Sequence, residues 1–143
     1  MNIISIRDVL NPNRLVMMSP DGTLGDALDL MEQRRLTVLA VAKRGHLHGL
    51  LCVRDIIRHV SQHGGLHTTP VSRAMTRDVR WVETRASLCE AQALMRRHGV
   101  SHAPVMDLSG RLVGILHRSD IPDVRAVAAA DHSAPRPVPA AAN

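Results

Sequence analysis

GLLCVRDI occupies residues 49–56 and GILHRSDI occupies residues 114–121. Both read as glycine, two branched apolar residues, two variable residues, one polar residue, Asp and Ile. They begin 65 positions apart. The variable positions include Cys52 in the first copy and His117 in the second. Working outward, the match continues. At an offset of 64, Leu24, Ala27, Leu30, Met31 and Val41 fall on Leu88, Ala91, Leu94, Met95 and Val105. One extra residue near Ser109 raises the offset to 65. From there Gly45, Leu47, Gly49, Leu51, Asp55 and Ile56 fall on Gly110, Leu112, Gly114, Leu116, Asp120 and Ile121. A single one-residue gap, placed in an expected turn, keeps both halves in phase. The chain is an internal repeat.

Each copy carries the same local signals. Thr23 with Asp26, and Ser87 with Glu90, form capping-box starts, in which side chains satisfy the free backbone donors of a helix N-terminus. Apolar residues follow at helical spacing, Leu24, Ala27, Leu28 and Met31 in one copy and Leu88, Ala91, Leu94 and Met95 in the other. Gly99 marks a helix stop. Two short apolar runs then flank a turn: Val38–Ala42 with Leu47–Val53, and Ala103–Met106 with Leu112–Leu116. Each pair reads as a β-hairpin. Further helices are expected from near Arg54 and Ser119, and short strands at Leu15–Met18 and Val79–Val82 precede each unit. The unit is strand–helix–strand–strand–helix, an α/β (α+β) pattern. One unit is too small to close a core; two packed face to face, with pseudo-two-fold symmetry, bury a shared sheet surface. The expected division is repeat one at 5–62, a linker at 63–69, repeat two at 70–127 and a disordered Pro/Ala-rich tail at 128–143.

Composition narrows the function classes. The 143 residues are 45% hydrophobic, but Trp81 is the only aromatic among Phe, Tyr and Trp. Single-stranded nucleic acid needs stacking platforms, which this chain lacks. The net charge of +5 comes from scattered Arg residues rather than a basic run, so it reads as a solvated basic surface. Cys52 and Cys89 are too sparse for a disulfide framework. No secretory signal and no membrane-length apolar run is visible, which predicts a soluble cytoplasmic protein.

On these residues the chain resembles a tandem pair of CBS domains, a Bateman module, over roughly residues 5–127. The family signature is Gly, two apolars, Thr or Ser, two variable residues, then Asp and an apolar residue. Both motifs match it except at the hydroxyl. PVSRAMTRDV at 70–79 is similar to the family's lead-in to a second repeat, and SHAPVMDLSGRLVGIL at 101–116 to its central hairpin. The resemblance implies a regulatory module sensing an adenosine-containing ligand such as AMP, ATP or NAD. It needs no cofactor, and it implies a disc-shaped homodimer and a protein partner still to be identified. Carried over, Asp55 and Asp120 become the ribose carboxylates. Val41 and Val105 become adenine walls. Met17 and Trp81 take the first-strand position, followed by Val82. Cys52 and His117 stand at the hydroxyl position. Arg54, Ser119 and Gly114 complete the motifs. Pro104 is retained where copy one has Ala40, which makes copy two the better preserved by that residue.

Each candidate also has a structural role available. Asp55 and Asp120 sit at expected helix N-termini, where a carboxylate caps and complements the dipole. Cys52 can be a small buried apolar residue. Trp81 can stack on a ligand or fill the cleft. The departures therefore have two meanings. They tune the ligand, or they mark occluded clefts in a ligand-free dimerisation scaffold. His46 and His48 alternate on one strand, and His59, His63 and His67 recur every four residues, but Gly64-Gly65 should end that helix before His67. No Cys or carboxylate cluster completes a ligand set, so no metal site is expected. No nucleophile with a base and orienting partner is present, so no enzyme is expected.

Overall fold

The computed structural model describes residues 4–11 and 14–122. Repeat one runs β1 (Met17–Met18), α2 (Leu24–Arg34), β2 (Val38–Lys43), β3 (His46–Cys52) and α3 (Val53–His63), after a short α1 (Ile6–Val9). Repeat two runs β4 (Val82–Glu83), α4 (Leu88–His98), β5 (His102–Met106) and β6 (Leu112–His117), after a 3-10 turn at Val71–Arg73. A second 3-10 turn, Arg118–Asp120, follows β6. The helix expected from near Ser119 is, over the described residues, only this turn, with Ile121 extended after it; residues beyond 122, including the tail expected at 128–143, lie outside the described residues. Each sheet has three strands in chain order, a parallel pair followed by an antiparallel hairpin.

The capping boxes form as read. Thr23 Oγ1 accepts the Asp26 N–H at 3.1 Å, and Ser87 Oγ accepts the Glu90 N–H at 3.1 Å. Both helices end on a left-handed residue, Arg35 (φ 55°) and Gly99 (φ 64°), at equivalent positions of the repeat. The extra residue near Ser109 is a turn residue. Lys43 pairs with His46 across the two-residue turn Arg44-Gly45. Asp107 pairs with Arg111 across three residues, its carboxylate accepting the Ser109 and Arg111 N–H groups at 2.9 Å. The first strands are shorter than expected: Leu15 and Val79 instead pack, half-buried, between the sheets. Residues 61–63 continue α3, and Gly64 (φ 67°) ends it.

Alternation along the strands sends side chains to two faces. Leu39, Val41 and Leu51 face α2 and α3 in one core, and Val105 and Leu116 join Leu88, Ala91 and Met95 in another. Val38, Ala40 and Leu50 face the opposite way and meet Leu112 and Ile115 of the other sheet. That third cluster is the shared face.

The lead-in segments are exchanged. Ile6, at 0% exposure, belongs to the core of repeat two, and its N–H bonds the Ala86 carbonyl. Val71, also at 0%, belongs to the core of repeat one, and its N–H bonds the Gly22 carbonyl. Each lead-in lies over a motif glycine, Leu10 over Gly114 and Met75 over Gly49. Among the described residues no helix is long and apolar enough to cross a membrane.

The two glycines differ in what covers them. A Cβ at Gly49 would sit 2.4 Å from the Thr76 carbonyl oxygen, a backbone atom, whereas at Gly114 it meets only the Leu10 side chain at 2.8 Å. Gly49→Ala is therefore expected to cost about 1–3 kcal/mol, as overpacking does, and Gly114→Ala less, because Leu10 can swing away. Urea denaturation of both variants checks this. Equal losses would contradict the exchanged packing.

Candidate functional site

Two clefts open where one repeat's motif meets the other repeat's helix-to-strand turn. The first has a volume of about 330 Å3 and combines Leu50, Cys52 and Arg54 of repeat one with Asp78 and Gly99–His102 of repeat two. The second, about 250 Å3, combines Ile115, His117 and Ser119 of repeat two with Arg14 and Arg35–Val38 of repeat one. Shifted by the repeat offset, the residues just named correspond position for position, while His102 lines both clefts. The pseudo-two-fold thus creates two equivalent sites, each assembled across repeats. Ligand pockets generally start at about 300 Å3, which the first cleft reaches and the second does not.

Asp55 and Asp120 cap in equivalent ways. The Cys52 N–H donates to Asp55 Oδ2 at 2.9 Å, and the His117 N–H donates to Asp120 Oδ2 at 2.9 Å. Their second oxygens differ. Asp120 Oδ1 accepts from Arg14 Nη1 at 2.6 Å. Among the described residues Asp55 Oδ1 has Arg58 alone as an ion-pair partner, at 3.7 Å. Neither carboxylate itself lines a cleft: each stands one residue past the lining, Asp55 after Arg54 and Asp120 after Ser119, with one Asp55 oxygen less engaged and the matching Asp120 oxygen clasped by Arg14, a lining residue of the second cleft. Sequence favoured copy two through Pro104; this geometry favours the cleft beside copy one.

The Cys52/His117 difference has a cross-strand cause. Cys52 pairs with Val38 and His117 pairs with His102. The two histidine rings contact edge to face with centroids 4.4 Å apart. His117 Nδ1 accepts the Ser119 N–H at 3.0 Å, which places the proton of the neutral ring on Nε2. Ser101 Oγ lies 3.2 Å from His102 Nδ1. Burial first, and His117 second, push His102 down to about 4. Burial, with the Asp55 carboxylate second, pushes the Cys52 thiol up, as fits a packed thiol rather than a reactive one.

The family model for the CBS domain matches residues 6–62 and 71–125. The chain belongs to the CBS domain family. It is 31% identical over 117 residues to the CBS domain-containing protein YhcV of Bacillus subtilis, covering 82% of each chain. Its fold is similar to an uncharacterized conserved protein from Pyrococcus horikoshii, at TM-score 0.74, 26% identity, and coverage of 98% of this chain and 100% of that one. It is also similar to the cytosolic domain of the Mg2+ channel MgtE in complex with ATP, at TM-score 0.69 and 27% identity, covering 80% of this chain and 46% of that one.

The remaining CBS positions do not all reach the clefts. Val41 and Val105, at 0% exposure, lie in the two helix-facing cores, as does Val82. Pro104 is fully buried and Gly114 is covered by Leu10. Met17 and Trp81 are each 54% exposed, matching the offset of 64. Trp81 lines a separate groove of about 290 Å3 at the hairpin end, with His46, His48 and Met106. His48 falls at a register shift between β2 and β3, and both His46 and His48 are exposed and line that groove. His59 and His63 share α3, with ring centroids 4.8 Å apart, while His67 lies past the helix end. Among the described residues no group of three or more His, Cys, Asp or Glu is placed to hold a metal ion.

Sequence reading named only Cys52 and Arg54 of the first lining and His117 and Ser119 of the second; it missed Arg14, Arg35–Val38, Asp78 and His98–His102 among others. The signal was present, since each helix-to-strand turn recurs at the repeat offset. What was missing was the pairing of each turn with the other repeat's motif.

The depressed His102 has a consequence for stability. Below its ordinary value of 6.5 the unfolded chain takes up a proton that the folded chain refuses down to about 4. Stability therefore falls as pH drops through that window. Thermal midpoints measured from pH 7 to 4 should decline less steeply in His102→Val than in wild type. Parallel declines would contradict the buried, neutral ring.

Proposed function

We propose that this CBS pair is a regulatory module that binds an adenosine-containing ligand, AMP, ATP or NAD, in the first cleft. The observation that carries the reading is a half-engaged carboxylate, Asp55, in sequence directly after Arg54 of the first cleft's lining. Among the described residues Asp55 Oδ1 makes no hydrogen bond, and its ion-pair partner Arg58 stands 3.7 Å away. Arg54 and Arg80 line the first cleft; Arg80 pairs with Asp78 at 3.8 Å, whereas Arg54 makes no hydrogen bond or ion pair among the described residues. Asp55 accepts ribose hydroxyls while Arg54 meets phosphate. The similarity to the ATP-bound MgtE domain supports the same ligand class. The reading involves no catalytic step. It includes a homodimer formed through helical faces, on which Ile57 of α3 is exposed, and a protein partner that receives the signal. It places the module in the cytoplasm.

The alternative, a ligand-free interaction scaffold, draws support from the second cleft. There Arg14 clasps Asp120 and the volume is only about 250 Å3.

Thermal unfolding and calorimetry with AMP, ATP and NAD separate the two. A ligand at about 100 times its dissociation constant adds roughly 2.7 kcal/mol, a shift of several degrees. Asp55→Ala and Arg54→Ala should each weaken binding by about tenfold or more, as loss of a charged hydrogen bond does. No shift with any of the three ligands selects the scaffold.

A further inference from the structure

His102 is the one residue that lines both clefts among those described. Its counterpart in repeat one, Val38, lines the second cleft and not the first. The repeat is therefore symmetric in backbone and asymmetric at this position. A short aliphatic group stands on one side and a ring that spans the divide on the other.

That ring is held from two directions. Ser101 Oγ, itself part of the first cleft, lies 3.2 Å from His102 Nδ1. The His117 ring, part of the second cleft, meets it edge to face with centroids 4.4 Å apart. From His117 the contacts continue. Its backbone N–H donates to Asp120 Oδ2, and Asp120 Oδ1 holds Arg14 of the facing repeat. Packed rings do not deform continuously, so a ligand that displaces the Ser101 hydroxyl moves His102 against His117. In repeat one the equivalent cross-strand pair is Val38 and Cys52, which lacks a ring to transmit such a movement.

We propose that the edge-to-face pair His102–His117 couples the two clefts, so that a ligand in the first cleft changes the state of the second and of the Arg14–Asp120 clasp. This rests on the nucleotide reading of the first cleft. By linkage the coupling runs both ways. Loosening the clasp must change the affinity of the first cleft.

AMP titration of the full chain, followed by the imidazole carbon-bound protons, tests it. His98 lines only the first cleft and His117 only the second. In wild type, one equivalent of AMP should shift both signals in parallel. In His102→Val, which copies repeat one, it should shift His98 and leave His117 in place. Calorimetry supplies the reciprocal arm. Arg14→Ala should change the AMP affinity of the first cleft about fivefold or more in wild type, the lower end of measured couplings, and leave it unchanged in the His102→Val background. A shift at His98 alone in wild type, or a His117 shift that survives His102→Val, overturns the coupling and leaves the nucleotide reading intact. No shift at either ring and no heat of binding overturns both.

Discussion

Neither three-stranded sheet can cover both of its faces from its own repeat. Each presents Val and Leu residues to both sides, and its own helices cover only one. The other face must find the second sheet, and Val38, Ala40 and Leu50 do so against Leu112 and Ile115. At roughly 25 cal/mol per Å2 of apolar surface removed from water, such burial is the main favourable contribution available to a core built without Phe or Tyr. The duplication is therefore what lets the unit fold. It also decides where the clefts lie, because the motif of one repeat ends beside the helix-to-strand turn of the other.

The exchange of lead-in segments reinforces this. Ile6 is buried in repeat two and Val71 in repeat one, so each repeat's core is completed by chain from outside it. Residues that look redundant in sequence, two glycines at the same motif position, are covered by different chemistry, a flexible leucine in one case and a backbone carbonyl in the other. The same pattern of shared frame and divergent contact appears at the clefts. Backbone caps at Asp55 and Asp120 are alike to 0.1 Å or better, with both N–H to Oδ2 distances at 2.9 Å. Their remaining oxygens have separated, one toward Arg14 and one nearly free.

Much of this was legible in the sequence. The repeat, its offset, the inserted turn residue, the capping boxes at Thr23 and Ser87 and both hairpins follow from local rules: period, capping and turn chemistry. α1 and the turn at Val71 were not read, because a four-residue helix has too little periodicity to detect. The site was read less fully for a specific reason. Motif residues announce themselves by recurrence, but a cleft built across repeats requires knowing which recurrence faces which. Hence Cys52, Arg54, His117 and Ser119 line the clefts, Asp55 and Asp120 stand one residue past the linings, and Val41 and Val105 lie in the cores. His102 went unread although it explains His117. The two are cross-strand partners, and only the register shows it.

The central claim is that the first cleft, between the Cys52–Arg54 segment and the His98–His102 turn, is a nucleotide site. A crystal structure of the full chain grown with saturating AMP tests it most directly. The account predicts the ribose hydroxyls on Asp55 and the phosphate beside Arg54. Crystals whose first cleft holds no AMP at saturation, or AMP seated only in the Trp81 groove, would contradict it.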